Sequence, residues 1–302
     1  MITLFTTPKP FRGRIGVAQR NALRSWKSLW PDVEIIVFGP EEGAAEACAE
    51  FGLQHVPNVE TNEFGTKRID WIFKQAQQIA HHDFLCYINC DIILLSDFAR
   101  AFERVRQSHS RFLMVGRRWD MDINDAYANF SQESQTRLRI IAEKTGVQRS
   151  GDAVDYFLFT RGLFSVMPAL VIGRVWWDHW LVWNACSQGA DVVDVSSQAW
   201  AVHQNHDYGY HPQGATGVWN DLQAITNYHN AGGRWHLYTI DDATHILDVE
   251  GEHSNGWRYF APYWRVMRPM VMPVWHGFLD VTRPVRNLLG LRQKIKPPLA
   301  TR

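Results

Sequence analysis

The chain has 302 residues, of which 46% are hydrophobic and 13% aromatic, and its formal net charge is zero. This length suffices for one large α/β domain or two small ones, and the hydrophobic content excludes a disordered chain. The neutral balance excludes a nucleic-acid-binding protein of the electrostatic type. Four cysteines without a C-x-x-C pair argue against a zinc site and fit reduced thiols. We expect a cytoplasmic protein, because the sequence contains neither a signal peptide nor an apolar run long enough to span a membrane.

Short apolar runs alternate with amphipathic segments in the first part of the chain. The pattern predicts strands over residues 2–5, 33–38, 54–56 and 84–95, and helices over 17–29, 41–51 and 66–80. Strands that alternate with helices predict a mostly parallel sheet with helices on both faces.

The regular alternation of predicted strands and helices changes after residue 95. The pattern predicts helices over 96–106, part of 120–142 and 175–186, strands over 111–115, 153–160 and 190–195, and a His- and Gly-rich loop over 201–217. From residue 259 onward, basic residues stand beside aromatic and Met residues, which is typical of an interfacial membrane segment. Four prolines divide this part into short pieces, and a helix pair packed on the domain is an equal alternative.

The most informative motif is Asn89-Cys90-Asp91, within the most apolar predicted strand. Polar side chains in a buried strand are costly unless they have partners. Residues i and i+2 of a strand point to the same side, so Asn89 and Asp91 would present an amide oxygen and a carboxylate together. That pair suits Mg²⁺ or Mn²⁺ with the phosphate oxygens of a ligand. The alternative is that both residues cap the following turn.

Other polar or aromatic residues follow the predicted strands at the same edge of the sheet. In open α/β sheets, ligands bind at the carboxyl ends of the strands, where Thr6, Thr7 and Phe38 are expected. Lys67 and Arg68 are expected at the start of a helix, a position that favours phosphate. We therefore assign these five residues to donor binding, with ordinary exposed charges as the alternative for the two basic ones.

Four segments together resemble a known family. They are residues 2–10, 20–26, 34–39 and 87–92, and they look like the nucleotide-diphospho-sugar transferases of GT-A type. The resemblance covers roughly residues 1–210 and implies a Rossmann-like mixed sheet. We expect a domain over residues 1–250, divided into a donor half (1–120) and an acceptor half (121–250), followed by a basic, aromatic and helical extension over 251–302. The resemblance also implies that an Asp-x-Asp motif holds Mn²⁺ or Mg²⁺ and the diphosphate. Asn89 replaces the first acid of that motif, while Asp91 keeps the last.

The same resemblance assigns two later positions. An acid at the start of a helix that lines the acceptor site corresponds to Asp178, which would accept the proton of an acceptor hydroxyl. Trp177 beside it would stack on a sugar ring. A late histidine that completes the metal ligands corresponds to His203, with His206 as the second choice. The alternatives are a helix acid that interacts with the macrodipole and a structural histidine.

Two arginines and two acids complete the predicted site. Arg117 and Arg118 follow the predicted strand 111–115, which is expected beside the strand of the acidic motif. They can hold a phosphate or an acidic sugar bidentately. Asp152 and Asp155 precede a predicted strand and are assigned to acceptor hydroxyls. Ion pairing of Arg118 with Asp120 or Asp155 is an equal alternative.

These residues predict a metal-assisted glycosyltransferase that moves a sugar from a UDP- or GDP-sugar to a hydroxyl of a glycan or glycolipid. One alternative is a sugar nucleotidyltransferase, although the glycine-rich loop of that class is absent after the first strand. The other alternative is a nucleotide-sugar-binding module without catalytic activity. No nucleic-acid partner is expected, and the C-terminal extension is a candidate for peripheral membrane contact.

Overall fold

The computed structural model describes residues 1–206 and 214–261, and beyond these residues 263, 264, 267, 271, 274, 278, 281 and 282. The chain forms two compact units, Met1–Arg258 and Tyr259–Arg302. The predicted boundary after residue 250 stays a prediction, and most of the predicted helical extension lies outside the described residues.

Strands and helices alternate along the chain. The strands are β1 (Thr3–Thr6), β2 (Glu34–Phe38), β3 (Gln54–Val56), β4 (Phe84–Ile88), β5 (Ile92–Leu94), β6 (Phe112–Val115), β7 (Arg118–Met121), β8 (Val147–Gln148), β9 (Tyr156–Thr160), β10 (Asp191–Asp194), β11 (Ala201–Gln204), β12 (His245–Leu247) and β13 (Glu252–Ser254). The α-helices are α1 (Gly13–Lys27), α2 (Ala44–Phe51), α3 (Ile69–Ile79), α4 (Ser96–Ser108), α5 (Gln132–Thr145), α6 (Trp177–Ser187), α7 (Gly214–Asn220) and α8 (Leu222–Asn230), and short 3₁₀ turns span Arg234–His236, Ile240–Asp242 and Gly256–Tyr259.

Nine of the strands form one sheet in the order β13-β12-β10-β6-β9-β4-β1-β2-β3. All its neighbouring pairs are parallel except the two that β9 makes with β4 and β6 and the β12–β13 hairpin. The fold class predicted from the sequence, a mixed and mostly parallel α/β sheet with flanking helices, is confirmed.

Both faces of the large sheet are covered, because its strands are apolar on both sides. In β1, Leu4 belongs to the buried cluster that contains α1 residues such as Trp26, whereas Phe5 belongs to the cluster that contains α3 residues such as Phe73. All four side chains are fully buried. The helices on both faces that the sequence predicted are therefore present.

The apolar segment 84–95 is two strands rather than the predicted single one. β4 ends at Ile88, a turn contains residues 89–91, and β5 begins at Ile92 in a second sheet of order β5-β11-β7-β8. The predicted loop over 201–217 was also wrong at both ends, because β11 occupies its start and α7 its end. Periodicity could not separate these cases, since β5 and β11 bury apolar side chains much as β4 does.

Two further expectations, one about strand order and one about the start of a helix, were wrong. The strand before Arg117 was expected beside the strand of the acidic motif, but β9 lies between β6 and β4. The helix expected to start at residue 66 begins at Ile69, so Lys67 and Arg68 lie in the segment that precedes α3. Within the described residues, no helix is both long and apolar enough to cross a bilayer.

Candidate metal centre and its cleft

The acidic motif lies in the turn between β4 and β5, at the carboxyl end of a central strand of the large sheet. The turn is closed by the amide of Ile92, which donates to the carbonyl of Asn89 over 3.1 Å. Because Asn89 and Asp91 are not part of a strand, the expected same-side arrangement does not apply. The two side chains have different partners.

Asp91 forms a cluster with two histidines. The ligand atoms that Asp91, His203 and His206 offer all lie within 4.8 Å of one another. Nε2 of His206 is 3.0 Å from Oδ2 of Asp91. The other carboxylate oxygen, Oδ1, is buried and has no hydrogen-bond partner among the described residues. A buried anionic oxygen without a partner is costly, and a bound cation would satisfy it.

Strand pairing positions this cluster. β11 pairs antiparallel with β5 so that His203 lies opposite Ile92, the residue after Asp91. The next residue, Gln204, is buried and donates to the carbonyl of Asp91 from its backbone amide over 3.3 Å and from Nε2 over 3.1 Å. Asn21 of α1 in turn donates to Oε1 of Gln204 over 3.0 Å. The backbone of the acidic turn is thereby fixed relative to the histidine strand and the first helix.

The charges around Asp91 favour its ionised form. Burial by itself raises the pKa of this carboxyl, but the hydrogen bond with His206 and the charges of Lys9 and His203 outweigh burial and hold its pKa well below the usual range. Nζ of Lys9 lies 3.6 Å from Oδ2 of Asp91 and 2.8 Å from Nε2 of His206. An ionised carboxylate beside two imidazoles is a mixed oxygen and nitrogen donor set that fits a divalent metal ion.

Asn89 contacts Asp155 rather than the cluster. Its Nδ2 donates to Oδ1 of Asp155 over 2.6 Å, and its Oδ1 accepts from the hydroxyl of Tyr87 over 3.1 Å. Arg118 pairs with the other oxygen of Asp155. An aspartate at position 89 would face Asp155 as a like charge, which gives a physical reason for the asparagine.

Arg118 connects the Asn89–Asp155 pair to the histidine cluster. Its Nε donates to Oδ1 of Asp120 over 2.8 Å, and the same oxygen lies 3.2 Å from Nδ1 of His203. Burial opposes the charge of Arg118, but Asp155 and Asp120 outweigh it and raise the guanidinium pKa. Both ion pairs that the sequence left as alternatives for Arg118 are therefore present. Nδ1 of His203 is buried and has no hydrogen-bond partner among the described residues, so its approach to Asp120 is an electrostatic contact.

Asp178 lies in the first turn of α6 and lines the same cleft. Its Oδ1 accepts the backbone amide of His179 over 2.9 Å. Burial raises the pKa of the Asp178 carboxyl, and the nearby charge of Asp155 acts in the same direction. The residue before the helix, Trp176, has a φ of 89°, a left-handed conformation that is rare for a side chain of this size.

The aromatic residues of the cleft differ in accessibility. Trp177 is 5% exposed, and its ring packs edge-on against Tyr87 at 5.2 Å between centroids. By contrast, Trp219 of α7 is 50% exposed and meets Trp176 at 6.0 Å. The structure therefore places Trp177 in the floor of the cleft, and Trp176 and Trp219 offer the more accessible rings.

The cleft has a volume of about 1110 Å³ and lies at the carboxyl ends of the central strands. It brings together most of the predicted site residues: Thr7, Lys67, Asn89, Asp91, Arg118, Asp152, Asp155, Trp177, Asp178 and His203. The remaining four, Thr6, Phe38, Arg68 and Arg117, do not line it. Thr6 and Phe38 are fully buried, Arg68 pairs with Glu60 and Asp70, and Arg117 pairs with Asp241.

Lys67 lines the cleft and is held there by Glu41 and the backbone of Pro8. Its Nζ lies 2.5 Å from Oε1 of Glu41 and donates to the carbonyl of Pro8 over 3.2 Å. Burial lowers the pKa of Lys67, although the charge of Glu41 opposes this shift. Gly39 follows β2 near both side chains and has a φ of 126°, a backbone conformation that residues with a Cβ rarely adopt. This conformation favours glycine at the position.

Sequence reasoning missed two members of the site and ranked a third too low. Lys9 and Asp120 were not assigned to binding, and His206 was only the second choice. The spacing of His203 and His206 was a visible signal, since the two histidines are only three positions apart in the sequence. The approach of Lys9 to Asp91 depends on long-range folding and had no local signal.

The sequence matches no protein-family model, and no curated protein matches it. Among solved structures, the chain is similar to glucosyl-3-phosphoglycerate synthase from Mycobacterium tuberculosis, with 12% identity, 78% of this chain and 81% of that chain covered, and a TM-score of 0.46. The complex of that enzyme with Mn²⁺, UDP and phosphoglyceric acid gives 11% identity, coverage of 78% and 79%, and a TM-score of 0.45. TarS from S. aureus (residues 1–349) with UDP-GlcNAc gives 11% identity, coverage of 76% and 70%, and a TM-score of 0.44.

Proposed function

We propose that this protein is a glycosyltransferase that moves a sugar from a nucleotide-diphosphate donor to a hydroxyl group of a glycan or glycolipid. The observation that carries the proposal is the cluster of Asp91, His203 and His206 in a large cleft at the carboxyl ends of the strands. The unpartnered oxygen of Asp91 supports a bound cation there. An acid with a raised pKa, Asp178, lines the same cleft.

In this proposal, the donor diphosphate binds beside the metal cluster. Asp91, His203 and His206 hold the ion, and Lys9, 3.6 Å from Asp91, adds a positive charge beside it. A divalent cation in this position supplies charge that offsets the negative charge of the departing nucleotide. Two imidazoles in the donor set favour Mn²⁺ over Mg²⁺, because Mg²⁺ prefers oxygen ligands.

Asn89 has a supporting role in this arrangement. It holds Asp155, and Arg118 holds the other oxygen of the same carboxylate. Asp155 is therefore fixed in orientation at the floor of the cleft, where it can accept hydrogen bonds from sugar hydroxyls. Lys67 and Thr7 line the donor side of the same cleft.

Asp178 is the proposed general base. A base must be close enough to accept the proton of the acceptor hydroxyl, and its pKa is best placed nearer the working pH than that of an exposed aspartate. Burial moves the pKa of Asp178 in that direction. Trp176 and Trp219 form an aromatic edge at the opening, and Asp152 is exposed at the rim, so both can contact an acceptor sugar.

We also propose that the C-terminal segment contacts a membrane surface peripherally. Among the described residues of this segment, those with large apolar side chains are exposed, namely Phe260, Tyr263, Trp264, Met267, Val271, Val274, Phe278 and Val281. The sequence of this segment is also rich in Arg and Lys. Exposed apolar residues with basic neighbours in sequence favour an anionic lipid surface.

The test is a thermal-shift and calorimetry series with UDP, GDP and their sugars, each with and without Mn²⁺. At a ligand concentration of about 100 times Kd, binding adds about 2.7 kcal/mol of stability. We expect a Mn²⁺-dependent shift with one nucleotide class and its loss in Asp91→Asn. Glu103→Gln is the control, because it removes a half-exposed carboxylate on α4 that is outside the cleft.

Turnover assays then separate the candidate functions. Donor hydrolysis or transfer by the wild-type chain, lost in Asp91→Asn, supports the transferase. Metal-linked nucleotide binding without any turnover would instead indicate a binding module. Formation of a nucleotide-sugar from a nucleoside triphosphate and a sugar phosphate would indicate a nucleotidyltransferase. Equal nucleotide binding with and without metal would contradict the proposed role of Asp91.

A further inference from the structure

A second cluster of metal-ligating side chains lies outside the cleft. His109, His245 and Glu252 offer ligand atoms that all lie within 4.8 Å of one another. His245 and Glu252 belong to the hairpin β12–β13 at the edge of the large sheet, and His109 follows α4. β10, β6 and β9 separate this hairpin from β4, and none of the three residues lines the cleft.

Strand register explains why these distant residues meet. In the hairpin, His245 pairs with Ser254, and Glu252 precedes Ser254 by two positions, so the two side chains share one face. His245 also pairs with Val193 of β10, two positions after Asp191, and this adds Asp191 to the same face.

The helix α4 covers this face. Val193 and Leu247 belong to the same buried cluster as Phe102 and Val105 of α4. The helix ends at Ser108, and His109 directly follows it, with only 7% of its side chain exposed. The end of the helix therefore brings a buried imidazole to the residues of the hairpin.

The contacts of His109 are those of a ligand with an orienting partner. Its Nδ1 lies 2.8 Å from Oδ2 of Asp191, and its Nε2 lies 2.6 Å from Oε1 of Glu252. A carboxylate on one ring nitrogen fixes the ring so that the other nitrogen faces a metal. The second oxygen of Glu252, Oε2, is buried and has no hydrogen-bond partner among the described residues. The ring of His245 lies 5.0 Å from that of His109, between centroids.

We propose that His109, His245 and Glu252 form a binding site for a divalent transition-metal ion of the Zn²⁺ type, with Asp191 orienting His109. Two imidazoles and a carboxylate are a donor set that Zn²⁺ accepts, and water can take the fourth position. The two carboxylates match the charge of a divalent ion. The ion would link α4 to the edge hairpin, so its role is to stabilise the fold at a place remote from the cleft.

The test measures Zn²⁺ binding by calorimetry and by metal analysis after dialysis. The protein used for these measurements is the full chain with Asp91→Asn and His206→Ala, because these two substitutions remove metal binding by the cleft cluster. We expect about one Zn²⁺ per chain. Asp191→Asn removes only the partner that orients His109, so it should weaken Zn²⁺ binding by roughly 10–100-fold. Glu252→Gln and His245→Ala each remove a ligand and should weaken Zn²⁺ binding by more than that. Circular dichroism of the metal-free variants checks that each one folds.

The hairpin offers a matched control. His253 is next to Glu252 in sequence but points to the other face, where its Nε2 lies 2.9 Å from Asp248. His253→Ala should leave Zn²⁺ binding unchanged. A zinc-dependent rise in the unfolding temperature, lost in Glu252→Gln and kept in His253→Ala, would support the site. Absence of saturable binding at micromolar Zn²⁺, or equal binding by Glu252→Gln and the unsubstituted cluster, would overturn the proposal.

Discussion

Replacement of Asp178 by asparagine should make the protein more stable and less active at the same time. The carboxylate is part-buried, and its pKa is raised because burial penalises the charged form. Asparagine has nearly the same shape, and its Oδ1 can still accept the amide of His179, which now donates over 2.9 Å. The substitution therefore removes the charge while the local hydrogen bond remains.

The sign and size of the stability effect follow from linkage. The folded state binds the Asp178 proton more tightly than the unfolded state does, so stability falls as the pH rises through the raised pKa. Each pKa unit of this shift corresponds to about 1.4 kcal/mol. For a domain of this size, that amount shifts the unfolding temperature by roughly 3–6 °C. Asp178→Asn should gain stability at neutral pH in proportion to the upward shift of this pKa, and the gain should vanish as the pH falls below the ordinary value of 3.8.

The catalytic effect has the opposite direction. Loss of a general base costs about 10²–10⁴-fold in turnover, whereas nucleotide binding should persist. In the wild-type chain, kcat/KM should rise with pH through the raised pKa of Asp178, because only the ionised carboxylate accepts a proton.

Differential scanning calorimetry from pH 4 to 8, together with a steady-state transfer assay, measures both effects. Asp194→Asn is the matched control. Burial also raises the pKa of Asp194, and its Oδ1 accepts the amide of Ser196 over 2.8 Å, but it does not line the cleft. The control should gain stability and keep full turnover. Full turnover of Asp178→Asn would refute its role as a base, and an unchanged or lower unfolding temperature at neutral pH would refute the desolvation argument.

Three further results are expected. Asn89→Asp gives the chain the Asp-x-Asp motif of the transferases that its sequence resembles, but it sets a second carboxylate against Asp155. It should therefore lower the free energy of unfolding by about 1–3 kcal/mol in denaturant titrations without tighter Mn²⁺ binding, and unchanged stability would contradict the contact. Trp26→Phe removes the indole donor of the 2.8 Å hydrogen bond to the carbonyl of Ile92. Loss of this donor to a buried carbonyl should lower the free energy of unfolding by about 1–3 kcal/mol in the same titrations. A chain without residues 257–302 should sediment less with anionic liposomes than the full chain, and equal sedimentation would argue for a packing role of this segment.

The parts of the fold that are visible in sequence are those where periodicity and burial agree. Residues 66–80 have their apolar side chains at helical spacing, and α3 occupies most of that range. Residues 84–95 are apolar throughout, and this pattern hid the turn at 89–91 that divides them between two sheets. Similarly, β11 buries Ala201 and Val202 but precedes a polar stretch, whose composition predicted a loop.

The candidate site was predictable to the extent that its residues follow strands in sequence. Asp91 was predicted in this way, whereas His203 and Asp178 were assigned from the resemblance to a known family; all three line the cleft. Burial alone decides other positions: Phe38 follows the same rule but is fully buried, with its ring 6.4 Å from that of Phe5. A side chain at the end of a strand reaches the cleft only if the sheet face beneath it is not packed, and a sequence does not contain that information.

Pairing between β5 and β11 is the physical link between fold and proposed chemistry. The turn at 89–91 brings the chain from the large sheet to the small one, and the register that sets His203 beside Ile92 brings an imidazole to the carboxylate of Asp91. The same register positions Gln204, whose backbone amide and Nε2 both donate to the carbonyl of Asp91. A shift of β11 by one residue would turn His203 to the other face and take its imidazole away from the carboxylate of Asp91. The geometry of the metal cluster therefore depends on strand register, and mutations that loosen β11 should weaken metal binding before they unfold the large sheet.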